Sequence, residues 1–229
     1  MPLQRLRKQL EAGRWFKALP PEFQAQLLAA GTVQRLGAGE RLFARGDPPS
    51  GLFAMLEGTM RISAPSEEGK EALLTLAEPP TWFGEISVFD GQPRTHDAVA
   101  AGEVELFFVP QAALDRLLAE HPQRWRELGL LLATKLRLTF TVLEEAALLP
   151  ISVRLARRLV WIALGYGEWH DRQARVIEVS QEQLSSMLST SRQTVNQVLK
   201  ALEAKGVLRI AYGSLEIVDL GALRAAAGL

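Results

Sequence analysis

Arg192, Gln193, Asn196, Gln197 and Lys200 are the side chains of this sequence best suited to recognising another molecule. At helical spacing they put hydrogen-bond donors and two cations on one face, the set that reads base edges and phosphates in the major groove of duplex DNA. The other face of the same stretch, Val195, Val198, Leu199 and Leu202, is apolar and belongs against a core. Upstream, Ser180 with Gln183 three positions later has the pattern of a capping box, ahead of the apolar stripe Leu184, Met187 and Leu188. Ser189-Thr190-Ser191 is a short polar break. Two helices of this length, so short a turn and a donor-rich first turn on the second helix predict a helix-turn-helix over 180–208. Ser180, Gln181, Ser191 and Thr194, at the two helix starts, complete the expected DNA-binding set.

A second constellation lies at Gly84-Glu85-Ile86-Ser87 and Arg94-Thr95. Gly84 allows a backbone to approach a ligand closely, and Glu85 to Phe89 can form one helical turn whose unpaired N–H groups face an anion. Arg94 offers a permanent planar cation to a phosphate, Thr95 a hydroxyl donor, and Glu85 an acceptor for a sugar hydroxyl. The same residues also fit a solvated turn with an incidental Glu–Arg pair, and the spacing by itself does not separate the two. Other chemistry has little support. The three histidines, His96, His121 and His170, lack metal-site spacing, and the absence of cysteine removes disulfides, Cys-ligated clusters and Cys-rich zinc sites. There is no nucleophile–base pattern, P-loop or dinucleotide fingerprint, so no catalytic residue is expected. No run of about 20 apolar residues suits a membrane span, and no signal peptide is recognisable. The expectation is a soluble cytoplasmic protein without membrane contact.

The elements that must hold these residues differ between the two ends of the chain. After Gly206, the runs 207–211 and 215–218 around Tyr212-Gly213-Ser214 form a hairpin wing, and 175–179 supplies a third short strand. Ser152 to Leu164 reads as a helix carrying Arg154, Arg157 and Arg158, and Asp219 as the cap of a last small helix. Residues 150–229 are therefore expected to be a winged helix. They carry ten Lys/Arg against seven Asp/Glu, an excess of three positive charges in a chain of net charge zero, at the end that must meet phosphate. Residues 1–121 read differently. Helical stretches at 3–10 and 20–29 precede short β runs at 32–36, 40–43, 51–56, 59–63, 72–76 and 104–109, separated by Gly/Pro turns, which predicts an antiparallel β-roll. Between them, 122–149 is one helix with Trp125, Leu128, Leu132, Lys135, Thr139, Val142, Ala146 and Leu149 at alternating +3 and +4 spacing. That stripe fits either a dimer seam or packing on the chain's own roll. The whole is α+β.

Roll, long helix and winged helix in this order resemble the cAMP receptor protein/Fnr family of bacterial transcription regulators, over essentially the whole chain. The carrying motifs are Phe83-Gly84-Glu85 and Arg94-Thr95-His96, similar to the family's Phe-Gly-Glu … Arg-(Ser/Thr)-Ala phosphate cassette, together with the 67–71 hairpin and the recognition turn. The resemblance implies that Glu85 takes the ribose 2′-hydroxyl and that Arg94 with Thr95 takes the cyclic phosphate of cAMP or a related nucleotide. It implies a homodimer formed by the long helix, with Thr139 at the position that touches the base and Phe140 where the family has serine. An aromatic side chain there could stack on the base or fill the pocket. The family's recognition turn is Ser-Arg-Glu-Thr-Val-Gly-Arg; here Ser191 to Gln197 keep the arginine as Arg192 but replace the glutamate by Gln193 and the second arginine by Gln197. The partners implied are a pseudo-palindromic operator, a second copy of the chain and RNA polymerase. The alternatives are the same DNA-binding role with a ligand-independent or haem-type sensor, and a cyclic-nucleotide regulatory subunit acting by protein contact. The helix-turn-helix stands against the last.

Overall fold

In a computed structural model, residues 3–65, 71–167 and 176–229 are described. Residues 66–70, which carry most of the expected 67–71 hairpin, and His170, Arg172 and Arg175 lie outside them. The chain forms two compact units, Met1–Arg137 and Leu138–Leu229.

The first unit begins with helices α1 (Leu3–Leu10), α2 (Arg14–Ala18) and α3 (Pro21–Ala30). Strands follow: β1 (Thr32–Leu36), β2 (Arg41–Phe43), β3 (Gly51–Glu57), β4 (Met60–Pro65), β5 (Glu71–Ala77) and β6 (Trp82–Phe83). Next come the short helix α4 (Glu85–Asp90), strands β7 (Asp97–Ala100) and β8 (Val104–Pro110), helix α5 (Gln111–Glu120), a 3-10 turn (Pro122–Arg124) and the long helix α6 (Trp125–Leu148). The strands form two antiparallel four-stranded sheets, ordered β1-β8-β3-β6 and β2-β7-β4-β5. All six strand runs expected from the sequence are present. Two more, β6 and β7, flank the cassette, and each is too short to show a period-2 pattern of its own.

Strand β3 shows how the core is divided. Because successive side chains point to opposite faces, Leu52, Ala54 and Leu56 enter a cluster with Leu10, Phe16, Phe23, Leu27, Leu114 and Leu128 from the helices. Phe53 and Met55 point the other way, into the roll interior with Met60, Phe83, Val104 and Leu106. Trp82 sits at the helical side, fully buried, stacked on Phe16 and edge-on to Trp15. Trp15 in turn donates its indole N–H to the Glu127 carbonyl at 2.8 Å, which ties α2 to α6.

In the first half of α6 the stripe packs on the chain's own roll. Leu128 is buried against the protomer's own helical core and Trp125 packs on it, so this stretch of the stripe is internal. An exposed apolar stripe lies one residue along: Ala133, Leu136, Phe140, Leu143 and Ala147 follow each other at +3, +4, +3, +4. Leu136, Phe140 and Leu143 are each more than half exposed. Periodicity finds an apolar stripe but does not say what covers it, and this helix has two.

The second unit holds α7 (Ile151–Ala163), a 3-10 turn at Gly165–Gly167, β9 (Val176–Ile177), α8 (Gln181–Met187), α9 (Arg192–Ala204), β10 (Leu208–Ala211), β11 (Ser214–Ile217) and α10 (Leu220–Ala226). The three strands form one sheet in the order β10-β11-β9, with Tyr212-Gly213 closing the wing hairpin. Gly213 supplies the left-handed backbone that this turn needs, at φ 73°. No helix among the described residues is long and apolar enough to cross a membrane.

Candidate anion cradle and nucleic-acid interface

The cradle is built around Arg94, which is only 3% exposed. Its backbone is zipped to the loop after β2: the Arg94 N–H donates to the Asp47 carbonyl and the Gly46 N–H to the Arg94 carbonyl, both at 2.8 Å. The guanidinium then reaches across to the start of β3. Nη1 donates to the Gly84 carbonyl at 3.0 Å, and Nη2 to Ser50 Oγ at 2.9 Å and the Gly51 carbonyl at 2.8 Å. Its central carbon lies 4.5 Å from the centre of the Phe43 ring, a cation–π distance. Nε is buried with no hydrogen-bond partner. Burial pushes the Arg94 pKa down, while the carboxylates of Glu85 and Asp47 oppose the shift. Arginine stays charged under such perturbation. The result is a buried cation, positioned by carbonyls and an aromatic face, with a donor to spare.

Gly84 must be glycine for this geometry. Its φ is 95°, and a Cβ there would fall 2.9 Å from Arg94 Nη1 and 3.0 Å from the Gly51 carbonyl oxygen. It caps α4, whose first N–H groups, from Glu85, Ile86 and Ser87, have no acceptor within the helix. Glu85 and Ser87 are buried, whereas Ile86 is exposed. Glu85 Oε2 accepts from Lys135 Nζ at 2.9 Å, and the same ammonium donates to the Trp82 carbonyl at 2.6 Å. The cassette helix is thus tied to α6 by charge, and also by Phe89, whose ring meets Trp125 edge-on at 5.2 Å.

Thr95 is exposed, with its hydroxyl 2.8 Å from His96 Nδ1. Burial and the nearby Arg45 push the His96 pKa down, against the pull of Asp97. Gly84, Glu85 and Arg94 therefore come together as the sequence suggested. Thr139 and Phe140 belong to the second unit, and both are exposed. Sequence reading missed Ser50, Phe43 and Lys135 as parts of this environment. The one available signal was Lys135, the one charged residue on the apolar stripe from Trp125 to Leu149.

In the second unit, Ser180 caps α8 as expected, accepting from the Gln183 N–H at 3.1 Å while Gln183 Oε1 accepts from the Ser180 N–H at 2.7 Å. Ser191 caps α9, accepting from the Thr194 N–H at 3.0 Å. Val195, Leu199 and Leu202 are buried. Arg192, Gln193, Gln197 and Lys200 are exposed, with no side-chain partner among the described residues. Asn196 is different: its Nδ2 donates to Gln181 Oε1 at 3.0 Å, clasping the recognition helix to the start of α8. The arginines of α7 are committed within the unit. Arg154 donates to the Leu188 carbonyl at the C-terminal end of α8 at 2.5 Å, and Arg157 donates to the Ala227 carbonyl and pairs with Glu145 at 3.1 Å. Among the described residues, Arg192 and Lys200 on α9 are exposed cations, whereas Arg154 and Arg157 of α7 are engaged within the unit.

Comparison with known proteins agrees with this division. The family model "Cyclic nucleotide-binding domain" matches residues 33–121, and "Crp-like helix-turn-helix domain" matches 153–226. A CRP-like cAMP-activated global transcriptional regulator of Mycobacterium tuberculosis is 31% identical over 182 residues, 79% of this chain and 81% of the relative. The cyclic AMP receptor protein of Thermus thermophilus is 29% identical over 210 residues, 91% of this chain and 94% of the relative. The crystal structure of a Thermus thermophilus transcriptional regulator of the CRP/FNR family superposes with a TM-score of 0.68 at 26% identity, covering 86% of this chain and 99% of that one.

Proposed function

The chain belongs to the cAMP receptor protein/Fnr family of transcription regulators, and from that premise we propose that it is a homodimer whose operator binding is gated by a cyclic nucleotide, cAMP or a close relative, held in the β-roll. Its relatives are regulators rather than enzymes, and it carries a cyclic nucleotide-binding domain and a Crp-like helix-turn-helix domain. The observation that carries the nucleotide reading is Arg94, a buried guanidinium whose Nε has no partner. An unsatisfied buried charged donor is costly, and a phosphate satisfies it. In this reading the Arg94 guanidinium and the first N–H groups of α4 take the cyclic phosphate. Thr95 adds its hydroxyl, and Glu85 accepts the ribose 2′-hydroxyl. Thr139 and Phe140 are the long-helix residues that the family resemblance offers to the base.

Binding of a sugar hydroxyl at Glu85 competes with, or recruits, the Lys135 ammonium. This is the chemical link from ligand to long helix. The exposed stripe Ala133, Leu136, Phe140, Leu143 and Ala147 supports dimerisation, since apolar heptad positions open to solvent suit a second copy of the same helix. A two-fold dimer places two recognition helices about 34 Å apart, so each reads one half-site of a pseudo-palindrome. At each half-site Arg192, Gln193 and Gln197 reach base edges. Ser180, Gln181, Ser191, Thr194 and Lys200 hold phosphates, and Asn196 braces Gln181. RNA polymerase is the downstream partner in this role.

Calorimetry of the purified protein with cAMP and cGMP tests the nucleotide reading. Saturable binding by the wild type is the expected result. No heat and no thermal shift at millimolar nucleotide would replace it with a ligand-independent regulator.

A further inference from the structure

The 2.8 Å contact between Thr95 Oγ1 and His96 Nδ1 determines what the hydroxyl can do for a ligand. A threonine hydroxyl has one proton to donate. When Nδ1 of a neutral ring accepts that proton, none is left for an anion beside Arg94. When Nδ1 is protonated it donates to Oγ1, and the hydroxyl proton is released toward the anion. We propose that His96 is a positioning residue that sets the direction of the Thr95 hydroxyl, so that phosphate binding at Arg94 and Thr95 strengthens in acid. The inference rests on the roll being a cyclic nucleotide site, and adds to that reading a regulation by pH.

The surroundings of the ring fix the direction of the effect. His96 is half-buried immediately before β7. The charged groups facing it are Arg45, on the loop after β2, and Asp97, the first residue of β7. Asp97 Oδ1 is engaged by the Arg45 backbone N–H at 2.6 Å. Burial and Arg45 outweigh Asp97, so the ring titrates below the ordinary imidazole range. At neutral pH it is uncharged, and in this proposal Nδ1 is then the acceptor at the 2.8 Å contact while Nε2 carries the proton. The anion prefers the protonated ring, so affinity rises as pH falls through the His96 pKa and is flat above it. A bound phosphate raises that pKa by the same linkage.

The test is calorimetry of the full-length protein with cAMP between about pH 5 and 8, on wild type, His96→Ala and Thr95→Val. One charge-assisted hydrogen bond corresponds to roughly tenfold in affinity. Wild type should tighten by about that factor on acidification. His96→Ala should lose the pH response and, with its hydroxyl freed, bind more tightly than wild type at the alkaline end. Thr95→Val should bind weakly at every pH, without the response. A Thr95→Val protein that keeps the response, or a His96→Ala protein no tighter than wild type at high pH, would show that only the ring's charge acts, and would overturn the positioning role. Nucleotide binding that is flat with pH in wild type overturns this inference alone, whereas no nucleotide binding at any pH overturns the underlying reading as well. A ligand-free measurement stands apart from both. The ring 15N shifts of His96 should report an unprotonated Nδ1 in the neutral form, and a proton on Nδ1 contradicts the proposal.

Discussion

Arg94 concentrates the chemistry of the first unit at one residue. Its charge is buried among two carbonyls, a serine hydroxyl and an aromatic face, and in the proposed site removing it deletes the main attraction for a phosphate. Arg94→Ala should weaken cyclic nucleotide binding by about 1.5–3 kcal/mol, roughly ten- to a hundredfold, as read by calorimetry. Gly84→Ala should place a methyl group against the same guanidinium from a left-handed backbone. A loss of about 1–3 kcal/mol in denaturant unfolding is expected, together with weaker nucleotide binding. The proposed pair Glu85 and Arg94 was legible as a cluster because both lie in one short segment with a glycine beside them. Ser50 and Lys135 were not, because they arrive from 44 and 50 residues away, and only folding brings them in. On the DNA side, Gln193 and Gln197 replace charged residues of the family's recognition turn. Glutamine favours adenine where arginine favours guanine. Selection from a random DNA library should therefore return an operator that differs from the family's familiar one opposite these two positions, with a guanine opposite Arg192. Recovery of the unaltered consensus, with Gln197→Ala silent, would show that these side chains do not read bases.

Among the elements, α6 separates what a pattern can and cannot say. Its length and apolar spacing were readable, but its two stripes are offset by one residue, and they differ in what covers them. Leu128 and Trp125 pack on the protomer's own core, while Leu136, Phe140 and Leu143 face solvent. If this stripe forms the proposed dimer, Leu136→Glu should abolish it with little effect on the fold of the roll, since it would bury a charge against its symmetry mate at a cost of several kcal/mol. Leu128→Glu should instead unfold the first unit. Light scattering and thermal melts distinguish the two, and an intact dimer in Leu136→Glu would remove this stripe from the interface. Strand positions were equally legible wherever alternation ran for several residues. The short β6 and β7 gained their strand character from pairing with β3, β2 and β4, a tertiary effect that no local window contains. The helix-turn-helix was the most legible element because its caps are local: Ser180 with Gln183, and Ser191 with Thr194, are three residues apart.

Across the whole molecule, the cyclic nucleotide-binding domain and the helix-turn-helix domain lie in different units, and in the proposed dimer only a difference in nucleotide affinity between two arrangements can couple them. The Glu85–Lys135 pair and the Phe89–Trp125 contact connect the cassette to the long helix within the first unit. The long helix continues into the second unit. A nucleotide that displaces Lys135 from Glu85 therefore acts directly on the element shared by sensor and reader. The measurement that bears most directly on this is operator affinity by fluorescence anisotropy, with and without saturating cAMP or cGMP, for wild type and Arg94→Ala. Coupling of about 1–3 kcal/mol should raise wild-type affinity roughly 5- to 150-fold with nucleotide and leave Arg94→Ala unresponsive. Equal wild-type affinity at every nucleotide concentration would contradict gating by the roll.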